Sequence, residues 1–224
     1  MPQKKLLLAI STGTFLIYII FSYFVARKQF TRFDFDTTVK FQDHISNRFD
    51  LPFSLLSIIG SAEIIGLFWL GLVIFFLVKK FYQTVLALFL LPLALAIEIF
   101  GKLFVFHPAP PHLLYRGVIH FDFPSQYVPV DYSYPSGHVT RAAFLIIFLI
   151  VFLYFRRFNH RLLFSLLLGI FLTAMIISRI YLGEHWSTDV IGGLLIGSSF
   201  GLLSALSIPL KNSDGLSRML HPSI

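Results

Sequence analysis

Six strongly apolar stretches, separated by polar segments, dominate the pattern of residues along the 224-residue chain. Each stretch is close to the roughly 20 residues that an α-helix needs to cross the hydrocarbon core of a bilayer. The pattern therefore predicts an all-α integral membrane protein, folded as a single six-transmembrane-helix bundle over residues 1–224. The predicted spans cover residues 6–25, 54–78, 83–106, 138–155, 162–182 and 188–208.

Residues 27–50 differ in character, because charged residues alternate there with apolar residues at roughly helical spacing. The spaced apolar positions are Phe35, Val39, Phe41, Ile45 and Phe49. This pattern predicts an amphipathic segment that lies on the membrane surface. A helix packed against the outer end of the bundle would fit the same pattern equally well.

Residues 107–135 form the longest polar interruption between two spans. The segment holds six of the eleven prolines, which oppose regular secondary structure. It also carries aromatic residues of the kind found at headgroup level, namely Tyr115, Phe121, Phe123, Tyr127, Tyr132 and Tyr134. We expect an extracytoplasmic loop that either covers a functional site or anchors the bundle at the interface.

The composition agrees with a lipid environment, since 56% of the residues are hydrophobic and only 13% are charged. The absence of cysteine excludes disulfides and thiolate metal sites. The formal net charge is +7, but no basic cluster with interleaved aromatic residues accompanies it, so a nucleic-acid partner is not expected. The basic residues gather beside the spans instead, which favours contact with membrane lipids. The sequence leaves the oligomeric state open.

The orientation of the bundle follows from basic residues in short loops, which concentrate on the cytoplasmic side. Placing the N-terminus in the cytoplasm puts nine of the 18 Lys and Arg residues on that side: Lys4, Lys5, Lys79, Lys80, Arg156, Arg157, Arg161, Lys211 and Arg218. Both termini are therefore predicted to be cytoplasmic in a multi-pass protein of the cell membrane. Three groups of polar residues, at the end of span three, the start of span four and between spans five and six, then share the extracytoplasmic face.

The strongest chemical signal is the sequence SRIYLGEHWSTD at residues 178–189, between two apolar runs. Ionisable residues at the edge of a span are costly unless they face protein or water, so they indicate function. His185 and Asp189 are four residues apart and would share one face of a helix, where the carboxylate would orient the imidazole. Arg179 offers a fixed fork of donors suited to a phosphate. A snorkelling arginine with interfacial anchors is the structural alternative.

Two further groups lie nearby in the predicted bundle. YPSGH at residues 134–138 precedes the fourth span, where free N–H groups at a helix start would favour an anion. Ser136 and Gly137 would add a hydroxyl donor and close backbone approach, although an ordinary turn and helix cap would look similar. Lys102, at the end of the third span, is followed by the helix-ending HPAPP.

Together these groups resemble the membrane-integral type 2 phosphatidic acid phosphatase superfamily, the lipid phosphate phosphatases. That family carries K-x6-R-P, P-S-G-H and S-R-x5-H-x3-D in this order. The second and third motifs match fully at residues 135–138 and 178–189. The first matches at Lys102 and Pro110, but Ala109 occupies the Arg position, and His107 is the nearest residue with basic character.

The resemblance implies hydrolysis of a lipid phosphate or pyrophosphate through a phosphohistidine. His185 would be the nucleophile, Asp189 would orient it and His138 would protonate the leaving oxygen. The phosphate-binding residues would be Lys102, Ser136, Gly137 and Arg179. Neither a metal nor another cofactor is expected, because no pair of histidines shows a zinc-binding spacing.

The substrate class implied is undecaprenyl pyrophosphate, phosphatidylglycerol phosphate or phosphatidic acid, among which the sequence does not choose. One alternative is a phosphotransferase that passes the group from the same phosphohistidine to an acceptor. Another is a non-catalytic lipid-phosphate binder or transporter, for which the Ala109 substitution is the only argument.

Arg141 is a candidate to replace the charge missing at Ala109. It lies three residues after His138, so the two share a helix face in an otherwise uncharged run. We expect Arg141 to contact the phosphate of the substrate or the second phosphate of a pyrophosphate. The alternative is that Arg141 snorkels to lipid headgroups.

Overall fold

The computed structural model describes residues 2–119, 124 and 132–210, a part of the chain that contains helices and no β-strand. Its nine α-helices are α1 (Pro2–Ala26), α2 (Thr31–His44), α3 (Asp50–Ile59), α4 (Ala62–Val78), α5 (Tyr82–Leu88), α6 (Leu90–Phe104), α7 (Gly137–Phe155), α8 (Arg161–Tyr181) and α9 (Ser187–Ala205). Short 3-10 helices at Asn47–Phe49 and His112–Leu114 join them. The all-α prediction is confirmed. Residues 120–123 and 125–131 of the predicted loop, and the tail from residue 211, lie outside the described residues.

Five stretches of the described chain are long and apolar enough to cross a membrane: α1, the continuous pair α5–α6, α7, α8 and α9. Long apolar side chains remain exposed along the outer helices, as at Ile17, Leu67 and Ile170. In water such exposure would be costly, whereas lipid solvates it. The chain is therefore a multi-pass membrane protein with five candidate spans, or six if the bent pair α3–α4 crosses as one.

The bend between α3 and α4 differs from the continuous span predicted over residues 54–78. The two helices meet at 47° across a break at Gly60 and Ser61. Helix α3 ends at Gly60, and the Ser61 hydroxyl caps α4 by accepting the N–H of Ile64 at 3.3 Å. A serine oxygen that satisfies a free N–H group stabilises a new helix start, which hydrophobicity alone does not reveal.

Helices α7 and α9 form the central pair of the bundle because glycines on α9 let the two backbones approach closely. A Cβ on Gly197 or Gly201 would collide with a main-chain carbonyl of α7, and a Cβ on Gly193 would collide with that of Ser136, the residue before α7. Small residues at four-residue spacing favour such close contacts between membrane helices. The start of α7 is consequently held beside the start of α9. The second and third sequence motifs are thereby neighbours.

Helix α2 corrects the expectation for residues 27–50 in one respect. The helix packs on α8 and α9 through a polar stripe, and Asp34, Thr38 and Gln42 are its buried residues. Phe33 and Phe35 are exposed. The stripe faces inward because it satisfies polar groups there: the Gln42 amide donates to the carbonyls of Leu114 and Tyr181. The apolar pattern therefore identified the helix but not its buried face.

Candidate active site

His185 and Asp189 meet at the N-terminus of α9, as their spacing predicted. Asp189 Oδ2 accepts the backbone N–H of Trp186 at 2.9 Å and lies 3.3 Å from His185 Nδ1. Because a carboxylate only accepts hydrogen bonds, Nδ1 carries the proton and Nε2 keeps its lone pair. The carboxylate thus fixes both the tautomer and the orientation of the imidazole.

Ser136 joins the second motif to the third through the main chain. Its backbone N–H donates to the carbonyl of Asp189 at 2.9 Å, and the residue immediately precedes the first turn of α7. The Ser136 hydroxyl is fully buried and has no hydrogen-bond partner among the described residues. A buried, unsatisfied hydroxyl at a helix N-terminus is suited to donate to an anion.

Lys102 and Arg141 share one carboxylate, that of Glu98. Lys102 Nζ lies 3.0 Å from Glu98 Oε1, and Arg141 Nη1 lies 3.9 Å from Glu98 Oε2. Arg141 also donates to the carbonyl of Gly60 at 3.5 Å, so its guanidinium points into the bundle and not to the surface. The Glu98 carboxylate in turn rests against the Cα of Gly137, where a Cβ would collide with it.

Arg179 is completely buried, and its guanidinium has three polar partners among the described residues, one of which is the Ser178 hydroxyl at 3.4 Å. Its guanidinium forms an ion pair with Glu184, and its Nη1 donates to the Ser57 hydroxyl at 2.6 Å. Ser57 belongs to α3, so the break between α3 and α4 lies beside the site. A buried guanidinium needs such partners because an unpaired charge in a low-dielectric interior is very costly.

His138 lies among these groups on the first turn of α7. The charges of Arg179, Arg141, Lys102 and His185 all act on its imidazole. The eight residues predicted from the sequence therefore gather around one point where α6, α7, α8 and α9 meet. Their catalytic and phosphate-binding roles remain predictions.

Two residues of the site's environment, Asp34 and Thr188, were missed by the sequence reasoning, and His107 was noted there only for its basic character. Asp34 of α2 accepts the backbone N–H and the hydroxyl of Thr188 at 2.9 and 2.8 Å. His107 Nε2 lies 3.5 Å from both Asp34 Oδ2 and Asp189 Oδ1. Burial raises the pKa of the Asp34 carboxyl, while the hydrogen bonds from Thr188 oppose that rise. The polar stripe of α2 was the available signal for Asp34.

The position of His107 shows which group the basic side chain nearest to Ala109 contacts. His107 Nε2 faces the Asp189 carboxylate, so this side chain is directed at Asp189 and not at Lys102 or Arg141. Ala109 lines a cavity of about 640 Å³ beside His107 and Trp186. Within residues 2–119, 124 and 132–210, no group of three or more His, Asp or Glu side chains could hold a metal ion.

Comparison with known proteins places this arrangement in a family. The chain is 37% identical over 96 residues to an undecaprenyl-diphosphatase from Sulfolobus acidocaldarius, covering 41% of this chain and 39% of that protein. It is 37% identical over 71 residues to phosphatidylglycerophosphatase B from Bacillus subtilis, covering 30% of this chain and 34% of that protein. The aligned parts thus span well under half the length of these relatives.

Two solved structures share the fold. The PAP2-type phosphatidylglycerolphosphate phosphatase from Bacillus subtilis superposes with a TM-score of 0.68 at 19% identity, covering 94% of this chain and 97% of that one. Aquifex aeolicus LpxE gives a TM-score of 0.52 at 21% identity, covering 77% and 94%. The family model of the PAP2 superfamily matches residues 83–213, which include all three motifs. The chain belongs to the PAP2 superfamily.

Proposed function

We propose that this protein is a membrane lipid phosphatase that hydrolyses a phosphate or pyrophosphate ester through a phosphohistidine on His185. The observation that carries the proposal is the His185–Asp189 contact of 3.3 Å, which leaves Nε2 of His185 as the free nitrogen. An imidazole whose other nitrogen is held by a carboxylate is an activated, oriented nucleophile. The names of the two relatives, both of which are phosphatases of lipid phosphates, support the same reaction class.

In the first chemical step, His185 Nε2 attacks phosphorus in line with the leaving oxygen. An N–P bond forms, the P–O bond to the lipid breaks, and His138 gives its proton to the departing oxygen. Asp189 stabilises the positive charge that develops on the His185 ring. His138 lies on the first turn of α7, directly after the proposed phosphate-binding residues Ser136 and Gly137.

In the second step, water attacks the phosphorus of the phosphohistidine. His138, now neutral, takes a proton from that water while the N–P bond breaks, and inorganic phosphate leaves. His138 is therefore the acid in the first step and the base in the second, while His185 is first the nucleophile and then the leaving group. No residue is consumed, and the proton count of the site is restored.

The phosphoryl oxygens would be bound by Lys102, Arg179, the Ser136 hydroxyl and the Gly137 amide. Such fixed donors stabilise charge that spreads over the equatorial oxygens in the transition state. Glu98 and Glu184 pair with two of the cations, so an incoming phosphate competes with these carboxylates. Arg141 belongs to the same group through Glu98.

The substrate test is a panel of lipids presented to the purified protein in detergent. We expect inorganic phosphate from at least one of undecaprenyl pyrophosphate, phosphatidylglycerol phosphate and phosphatidic acid, above the background of His185→Ala. Transfer of labelled phosphate to a lipid or sugar acceptor without free phosphate would indicate a phosphotransferase. No consumption of any lipid by folded protein would contradict the proposal.

We further propose that the site opens at the extracytoplasmic face. Lys4 Nζ donates to the carbonyl of Leu206 and Arg156 to that of Pro209, so basic residues from two distant parts of the chain gather at the C-terminal end of α9. This end is opposite to the His185 end of the same helix. The positive-inside rule then assigns the basic end to the cytoplasm.

Reporter fusions test the orientation. A reporter after Pro209 should be active in the cytoplasm, and one near Val118 should be active outside. The reverse result would move the enzyme to cytoplasmic lipid metabolism and leave the chemistry unchanged.

A further inference from the structure

Each carboxylate oxygen of Asp189 has a different histidine beside it. Oδ2 faces His185, the proposed nucleophile, and Oδ1 faces His107 Nε2 at 3.5 Å. His107 Nε2 is equally close to Asp34 Oδ2. Both carboxylates are almost completely buried, with relative exposures of 1% and 0% for the Asp34 and Asp189 residues. One imidazole therefore lies between two buried carboxylates.

The hydrogen bonds of Thr188 indicate the protonation of this imidazole. The Thr188 hydroxyl donates its one proton to Asp34 Oδ2 at 2.8 Å. Its lone pairs then face His107 Nε2 at 3.0 Å, a distance that requires a proton on Nε2. Nε2 also lies 3.5 Å from one oxygen of each carboxylate. An unprotonated Nε2 is itself a hydrogen-bond acceptor and would face three acceptor oxygens, those of the Thr188 hydroxyl and of the two carboxylates.

The charge balance of the cluster favours a doubly protonated ring. Two buried carboxylates this close repel each other and lose hydration, and each effect favours uptake of a proton. Burial indeed raises the pKa of the Asp34 carboxyl, and the charge of Asp189 adds to that rise, whereas the charge of His107 opposes it. A proton on the His107 ring would balance one of the two negative charges and so favour the ionised form of both carboxylates.

We propose that His107 is a positioning residue for the reaction: its imidazolium bridges Asp34 and Asp189 and keeps Asp189 ionised and aligned against His185. The inference rests on the proposed function, because it gives Asp189 the task of orienting the nucleophile. His107 itself does not reach the reacting phosphate. His107 lies two residues before Ala109, which replaces the arginine of the first motif. In this chain the altered motif would therefore contribute to the alignment of Asp189.

Other groups that face the cluster decide how it responds to pH. The cavity of about 640 Å³ beside His107 is lined by two cationic side chains, those of Lys28 and Arg32. The Tyr134 ring packs edge-on against His107 with centroids 6.4 Å apart. The titratable or charged groups around His107 are Lys28, Arg32, Asp34, Tyr134, His185 and Asp189.

The test is His107→Gln, which keeps an N–H donor and removes the charge. At neutral pH we expect kcat to fall about 10- to 100-fold with KM nearly unchanged. The alignment of His185 would be disturbed, whereas the residues that bind the substrate would be unchanged. The acidic side of the kcat–pH profile should move to higher pH by about one unit, since the two carboxylates then share a proton and Asp189 is neutral over a wider range. His44→Gln, an exposed histidine on α2, is the matched control and should leave both unchanged.

A second variant separates charge from packing. Asp34→Asn combined with His107→Gln removes one charge of each sign, so Asp189 no longer competes with a second carboxylate. The acidic side of the profile should return toward that of the wild type. An unmoved profile in folded His107→Gln, or no return in the double variant, would overturn the inference. Failure of the proposed function itself would appear separately, as turnover retained by His185→Ala.

Discussion

Carboxylates lie on two sides of His185, and the two sides differ in the kind of cationic group that faces the carboxylates. On the phosphate side, Glu98 pairs with Lys102 and Arg141, and Glu184 pairs with Arg179. These ammonium and guanidinium groups titrate far above neutral pH in ordinary proteins. On the opposite side, Asp34 and Asp189 each lie 3.5 Å from the imidazole of His107, and no lysine or arginine of the described residues forms an ion pair with either carboxylate. A histidine side chain ordinarily changes its charge nearer to neutral pH than lysine or arginine does.

The comparison teaches how one site can combine tight phosphate binding with pH sensitivity. Because lysine and arginine side chains ordinarily titrate far above neutral pH, we expect binding on the phosphate side to vary little with pH. The cluster behind Asp189 depends on a proton, so alignment of the nucleophile should vary. Changes on the phosphate side should therefore alter activity without moving the pH profile, and changes behind Asp189 should move it.

The largest effect is expected from the residue that connects the two sides. His185→Ala should reduce turnover to background, since the N–P bond has no other nitrogen positioned to form it. Asp189→Asn should leave a small residue of activity, because an orienting partner is less essential than the nucleophile. Phosphate release by purified, folded variants checks both. Equal loss in the two variants would weaken the division of roles between them.

A smaller effect is expected from a cation on the phosphate side. Arg141→Ala should cost about 1–3 kcal/mol of transition-state binding, the typical worth of a charged hydrogen bond, measured as the change in kcat/KM. Its pH profile should keep the wild-type shape, in contrast to His107→Gln. Arg161→Ala, which removes an exposed arginine at the other end of the bundle, is the control. Full activity of Arg141→Ala on every lipid would limit Arg141 to a structural role.

The smallest effect is expected from a change at Gly137, whose Cα lies against the Glu98 carboxylate. Gly137→Ala places a methyl group against the Glu98 carboxylate, which must turn away from Lys102 and Arg141. A loss of about tenfold in kcat/KM corresponds to about 1.4 kcal/mol, within the range for crowding a packed site. Gly13→Ala on α1, where a methyl group meets no other atom, should have no effect. Unchanged activity in Gly137→Ala would show that Glu98 adjusts freely.

The sequence predicted the phosphate side more completely than the cluster behind Asp189. Lys102, His138, Arg179 and His185 stand in ordered motifs at the ends of apolar runs, where charge is rare and therefore informative. Asp34 and His107 gave no comparable signal, because the cluster joins α2 to a proline-rich segment through contacts between residues far apart in sequence.

Two features of the fold, the break between α3 and α4 and the inward polar stripe of α2, were not predicted for the same reason. The break at Gly60 and Ser61 depends on a local serine cap, and the inward polar stripe of α2 depends on which carbonyls it meets. Hydrophobic periodicity reports how apolar a segment is, but not which tertiary partners satisfy its polar groups. The six apolar runs were nevertheless sufficient to predict the helical class and the membrane location.

The phosphohistidine is the central claim, and direct trapping tests it. Purified protein would be mixed with a lipid substrate labelled with ³²P in its terminal phosphate, quenched in alkali within the first turnover and digested. The account predicts label that survives alkali, is lost in acid and lies on the peptide that contains His185, with none in His185→Ala. Turnover without label on that peptide, or label on a different residue, would contradict the account.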